Sequence, residues 1–250
     1  MMIRISRHLL DLLRYHLKRP KLTLVTAADE THARSLEQFL KSAQKNHQKD
    51  KMVIIDLGLS DKSVQRLQKI DLPSDIRRFN YSKYPAWFDV SVNAGEYAWK
   101  PIIINDIVQE QGGVVIWMDA GNMILGKLWR LQAHALKYGL FSQGSSGDLA
   151  RWTHPATLSY FNKDIEWAKG KRNINGACIA VYSEHPTAKS IVPEWARLAT
   201  IREAIAPIGS NRQNHRQDQA LLSVLLNLSG RIPNSYSQKS LNFATHKDVE

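Results

Sequence analysis

The 250-residue chain has 34 Lys+Arg against 23 Asp+Glu, a net charge of +11, with 43% hydrophobic and 23% charged residues. This is the composition of an ordinary soluble globular protein with a sizeable core, and no apolar run approaches the roughly 20 residues that span a bilayer. One cysteine, Cys178, excludes an internal disulfide and makes a reducing, cytoplasmic setting the simplest.

Residues 1–20 read as a separate basic amphipathic helix, and residues 21–250 as one domain. Leu9, Leu10, Leu13 and Leu17 share one helical face, with Arg7, Asp11, Arg14 and Lys18 on another. Arg4, Arg7, Arg14, Lys18, Arg19 and Lys21 are opposed only by Asp11. Such a helix either lies on an anionic membrane surface, peripheral to its inner face, or docks on its own domain. Pro20 ends it.

Residues 22–29 predict a first strand ending in a small-residue turn, and residues 31–45 a helix burying Ala33, Leu36, Phe39, Leu40 and Ala43. A second strand covers 51–57, and a helix over 61–70 is capped by Ser60. A short strand at 76–79 leads through a polar, aromatic-rich connection to a helix over 96–111, stopped by Gly112-Gly113. Next comes the most telling stretch, Val114-Val115-Ile116-Trp117-Met118-Asp119-Ala120-Gly121-Asn122. Its apolar run fits a strand buried on both faces, with an acid at its carboxyl end, where ligands bind in open α/β sheets. That acid either serves function or forms a turn. Strands at 139–142 and 177–182, helices at 186–198 and 218–228, and a flexible loop at 144–147 complete the chain. The alternation predicts an α/β fold with a mainly parallel central sheet flanked by helices.

In this order the pieces resemble the GT-A-type glycosyltransferases, and more narrowly small uncharacterised families of that type. The resemblance rests on Val25-Thr26-Ala27-Ala28-Asp29, Asp56-Leu57-Gly58-Leu59-Ser60, Tyr97-Ala98-Trp99-Lys100-Pro101, Trp117 to Asn122, and Arg216-Gln217-Asp218-Gln219-Ala220-Leu221-Leu222. It covers roughly residues 22 to 228. It implies transfer of a sugar from a nucleotide-diphosphate donor to a glycan or lipid-linked acceptor. Thr26, Ala27 and Asp29 would then contact base or ribose, unless they form a plain turn. Lys100 would neutralise the diphosphate, unless it is a solvated helix lysine.

The resemblance aligns Asp119 with the first acid of an Asp-x-Asp motif that holds Mn²⁺ or Mg²⁺, but the second acid is replaced by Gly121. A divalent cation would then be held weakly, with help from His246 and Asn122, or not at all. His246 reads equally as a tail histidine. Asn175-Gly176 would lie on the acceptor side or form a turn. Trp152 and His154 offer an aromatic face and an imidazole to a sugar. Asp218 and Gln219 would face the reaction centre, Asp218 otherwise being a favourable acid at a helix start. His215 and Arg216 would reach the donor phosphates or stay on the surface. Two other classes stay open: a non-catalytic nucleotide-binding relative, suggested by Gly121, and a basic module for nucleic acid or membrane surfaces, suggested by the charge.

Overall fold

The computed structural model describes residues 7–233 and 236–249. Arg4, one of the basic residues counted in the N-terminal helix, lies outside them. The chain order is α1 (Arg7–Lys18), β1 (Leu22–Asp29), α2 (Ala33–His47), β2 (Lys51–Gly58), α3 (Asp61–Gln68), β3 (Ser74–Arg78), α4 (Trp99–Gln111) and β4 (Val114–Met118). It continues through β5 (Met123–Ile124), α5 (Trp129–Tyr138), β6 (Leu140–Asp148), α6 (Leu149–Trp152), α7 (Pro155–Tyr160), α8 (Ile165–Ala168) and β7 (Arg172–Tyr182). Helices α9 (Pro186–Ala199), α10 (Arg202–Ile205) and α11 (Gln217–Ser229) precede β8 (Phe243–Ala244).

One six-stranded sheet has the order β3-β2-β1-β4-β7-β6, and β5 pairs with β8 beside it. Strands β3, β2, β1 and β4 are parallel, while β7 runs antiparallel to both β4 and β6. The expected parallel sheet is therefore present, with one reversed strand inside it. Side-chain alternation splits the core in two. Val25, Val53, Val115, Trp117, Ile179 and Val181 face a layer containing Ile104 of α4, Trp195 of α9 and Leu222 of α11. Leu24, Ile54, Ile116, Met118 and Ala180 face Phe39 and Leu40 of α2 and Leu131 of α5. Both faces being covered explains why these strands read as continuous apolar runs rather than alternating ones.

Several boundaries differ from expectation. Residues 144–147 belong to β6, not to a loop, and β7 begins at Arg172. Ser60 does cap α3, accepting from the Ser63 N–H at 3.2 Å. The helix expected from residue 96 starts at Trp99, because Asn93, Ala94, Gly95, Glu96 and Tyr97 all have positive φ, between 48° and 59°. Left-handed backbone costs non-glycine residues on the order of 1–2 kcal/mol each, so this turn needs anchors. The Trp99 indole donates to Ala94 O at 3.0 Å, and Gln217 Nε2 donates to Glu96 Oε2 at 3.2 Å. At Gly95 a side chain would run into the Phe88 carbonyl.

Helix α1 packs on α5 by its polar side. Asp11 is buried, 3.1 Å from Arg14 and 3.9 Å from His134. Leu10, Leu13 and Leu17 remain 44%, 45% and 83% exposed, so these three leucines face away from the domain.

Candidate functional site

At the carboxyl ends of β1 and β4 lie two cavities, of about 380 and 180 Å³, which share Tyr97, Lys100, Asp119 and His246 as walls. The reason lies in the sequence. Asp119 is the first residue after β4, and the left-handed turn before α4 delivers Tyr97 and Lys100 beside it.

Lys100 is buried, with its Nζ 2.9 Å from Asp119 Oδ1 and 3.4 Å from Asp218 Oδ2. It also donates to Gly176 O at 3.4 Å and lies 5.5–6.0 Å from the ring centres of Trp117, Tyr97 and Trp99. Burial opposes the ammonium charge, but Asp119 and Asp218 outweigh it and hold the Lys100 pKa above the ordinary lysine value. Lys100 is therefore a buried, doubly ion-paired lysine rather than a solvated helix lysine. Asp119 Oδ1 also accepts from the Trp117 indole at 2.7 Å, while its side chain stays 39% exposed. Burial, with Asp119 adding repulsion, pushes the Asp218 pKa up against the pull of Lys100. Asp218 Oδ2 is buried without a hydrogen-bond partner among the described residues.

The larger cavity also brings together Trp152, Asn175, Gly176, Arg212, Arg216 and Gln219. Arg216 lies 4.2 Å over the Trp152 ring, and Arg212 donates to the Tyr97 hydroxyl. Neither guanidinium forms an ion pair with a described carboxylate. Burial and the neighbouring Arg212 push the Arg216 pKa down. The smaller cavity is walled by Ala27, Asp29, His32, Asn122 and Asp248. Asp29 accepts from His32 Nδ1 at 2.7 Å and Thr31 Oγ1 at 2.7 Å, and this holds its carboxyl down at about 2. Asp29 is thus both a turn cap and a cavity wall.

Three expected contact residues lie elsewhere. Thr26 is fully buried in β1. His154 caps α7, accepting from Ala156 N–H at 3.3 Å, and does not line either cavity. His215 is buried between His154 N–H, which donates to its Nδ1 at 3.1 Å, and Ile205 O, which its Nε2–H reaches at 2.7 Å. Burial drives its pKa down to about 4, so it is a neutral structural histidine. Its unfolded form protonates near pH 6.5, so the unfolded chain binds the extra proton between 6.5 and 4. Stability is therefore expected to fall as pH drops through that window, by on the order of 3 kcal/mol from this residue. Melting temperature against pH should be flatter for His215→Gln; an unchanged slope would contradict this.

Asp119 and His246 share a cavity, but among the described residues no group of three or more His, Cys, Asp or Glu is placed to hold a metal ion. Asp119 Oδ1 is already engaged by Lys100 and Trp117, and residue 121 has no side chain to contribute. Asp119, Asn122, His246 and Asp248 line the smaller cavity together, but as arranged they form no three-ligand site that fits a divalent cation among the described residues. Instead the carboxylate of Asp248 lies against Gly121, where any β-carbon would collide with it. Lys247 N–H ties this tail to Gly121 O at 2.7 Å.

Sequence reasoning missed Tyr97, Arg212, His32 and Asp248 as walls. Arg212 sits in a polar stretch without periodicity, and Asp248 arrives only because the tail folds back. Cys178 is buried, and burial raises its thiol pKa, as its place in an apolar strand implied.

Comparison with solved structures agrees on the architecture. The chain is similar to galactosyltransferase LgtC, solved with donor and acceptor sugar analogs, at 13% identity and a TM-score of 0.56, over 84% of this chain and 72% of that one. The bifunctional glycosyltransferase WbbM matches at 12% identity and 0.54, over 88% of this chain and 39% of that one. GlyE from Streptococcus pneumoniae TIGR4 matches at 15% and 0.51, over 87% and 45%. The fold is that of the GT-A glycosyltransferases. The chain spans less than half the length of WbbM and GlyE. A family of unknown function, DUF1647, matches residues 1–105, and no curated protein matches. The Lys100 cluster lies by the carboxyl ends of the interior strands β1 and β4, at a topological switch point, where open α/β sheets receive ligands.

Proposed function

We propose that the protein transfers a sugar from a nucleotide-diphosphate donor to a glycan or lipid-linked acceptor. The carrying observation is the Lys100–Asp119–Asp218 cluster at the junction of two cavities, beside two guanidiniums without carboxylate partners among the described residues. The smaller cavity, with Ala27 and Asp29, takes the nucleoside, since short side chains let a base approach the backbone. The diphosphate lies toward Lys100, Arg212 and Arg216, and the sugar toward Trp152. Asn175, Gly176 and Gln219 bound the acceptor side.

In the reaction, the bond between the anomeric carbon and the β-phosphate oxygen breaks, its electron pair leaving on the nucleoside diphosphate. The acceptor oxygen bonds that carbon, and its proton passes to the departing diphosphate. The basic groups stabilise the charge that develops on the leaving diphosphate. Asp218 Oδ2 receives a hydrogen bond from the reacting hydroxyl, and Asp119 fixes Lys100. Uridine or guanosine diphosphate is expected to bind the intact chain in calorimetry at submillimolar concentration. Absence of binding at millimolar nucleotide would defeat the donor-site reading.

Acceptor delivery falls to α1. Its outward leucine stripe, with Lys18 and Arg19 exposed beside it, suits the cytoplasmic face of an anionic membrane. Each basic residue contributes about 1 kcal/mol there, so binding is reversible and weakens with salt. Removing residues 1–20 should release the protein from anionic liposomes and leave the domain folded. An intact chain that ignores such liposomes at low salt would rule this out.

A further inference from the structure

We infer that this chain holds its donor diphosphate without a divalent cation, using Lys100, Arg212 and Arg216 in the place of the metal; the inference rests on the donor-site reading above.

Three independent observations carry it. First, the position between the carboxylates of Asp119 and Asp218 is taken by the Lys100 ammonium, at 2.9 and 3.4 Å. A cation bridging these acids would have to displace a buried lysine that both carboxylates and Gly176 O hold in place. Doing so would place two positive centres side by side in a site of low dielectric, where repulsion is strong. Second, the turn that would supply a second acid has Gly121 in that place, and although Asp248 of the tail lines the smaller cavity with Asp119 and His246, these three are not placed as a metal-ligand group. Lys247 O accepts from Gln38 Nε2 at 2.6 Å and Val249 N–H donates to Ser35 Oγ at 2.9 Å, so the tail has its own anchorage on α2. Third, Arg212 and Arg216 line the same cavity and have no described carboxylate to neutralise them.

A divalent cation on a diphosphate does two things: it cancels charge and it fixes geometry. The charge can be met by two guanidiniums and one ammonium, whose five-donor forks suit phosphate oxygens better than a point charge does. The geometry is met by rigid mounts, since Arg216 is stacked on Trp152 and Arg212 is bonded to the Tyr97 hydroxyl. Lys100 carries less of the direct contact, because its charge is already shared with two acids. Its part is to let Asp119 stand next to the phosphates without repelling them.

The test is calorimetric titration of the full chain with uridine and guanosine diphosphate, once in excess EDTA and once in millimolar Mn²⁺. Electron paramagnetic resonance then measures Mn²⁺ binding to the chain alone and with nucleotide. The expected result is an affinity for the preferred nucleotide that is the same within about twofold in the two buffers, with no stoichiometric Mn²⁺ signal. Arg212→Ala and Arg216→Ala should each weaken binding about tenfold or more, the equivalent of about 1.4 kcal/mol, with circular dichroism unchanged. Binding only in Mn²⁺ overturns the inference and leaves the donor site standing. Stoichiometric Mn²⁺ lost in Asp248→Asn does the same and identifies the tail acid as a ligand. No nucleotide binding in either buffer overturns both the inference and the donor site.

Discussion

Lys100→Met is expected to lower the unfolding free energy by about 3–5 kcal/mol and to abolish nucleotide binding. The magnitude follows from removing one partner of a buried ion cluster, which leaves an uncompensated charge inside. Asp218 is the residue left stranded, since it is 5% exposed and its Oδ2 has no other partner among the described residues. A loss of that size lowers the melting temperature of a 250-residue chain by on the order of 10 °C. The pH dependence carries a sign. Burial and Asp119 already raise the Asp218 pKa in the parent, and loss of the ammonium raises it further. A carboxyl whose folded pKa lies above its unfolded value binds its proton more tightly when folded. Its contribution to stability is full below the unfolded pKa and is lost as pH rises through the folded one. The variant should therefore gain stability, relative to the parent, as the pH falls toward 4, near the unfolded carboxyl pKa of about 3.9. Adding Asp218→Asn should recover part of the loss, because it removes the stranded charge. A single variant as stable as the parent at neutral pH would mean that the cluster does not brace the site.

Asp119→Asn is expected to do the opposite, leaving the fold nearly intact while removing most activity. The side chain is 39% exposed, and an asparagine oxygen can still accept from the Trp117 indole, so a stability change of about 1 kcal/mol or less is expected. What is lost is the charge that orients Lys100 toward the diphosphate. Removal of one preorganised group of this kind lowers turnover by about 10²–10³. Thermal melts together with turnover of the preferred nucleotide sugar separate the two effects. Full turnover in Asp119→Asn would remove Asp119 from the chemistry.

Much of this site could be read from the residues alone, for a physical reason. Parallel strands covered on both faces must be continuously apolar, so Val114–Met118 announced itself and placed Asp119 at a carboxyl end. The reversal of β7 could not be read, because a buried strand has the same apolar pattern in either direction. The left-handed turn at Asn93–Tyr97 was hidden as well: only Asn93 and Gly95 among its residues favour positive φ, and its anchors Trp99 and Gln217 lie outside it. His215 and His154 misled for a related cause. A histidine near a polar helix start looks available, and only packing reveals that its ring nitrogens are used by His154 N–H, Ile205 O and Ala156 N–H. Asp248 is the clearest case of information absent from local sequence. Its contact with Gly121 spans more than half the chain and depends on backbone bonds to Gly121 O and Ser35 Oγ.

Turnover of a panel of nucleotide sugars by the unmodified full chain, followed by release of nucleoside diphosphate, tests sugar transfer most directly, with Asp119→Asn run alongside. One donor is expected to be consumed, with transfer to an acceptor or slow hydrolysis, and the variant to be slower by about 10²–10³-fold. If no donor is consumed, or if parent and variant release nucleotide equally, the Lys100–Asp119–Asp218 cluster is not a sugar-transfer site.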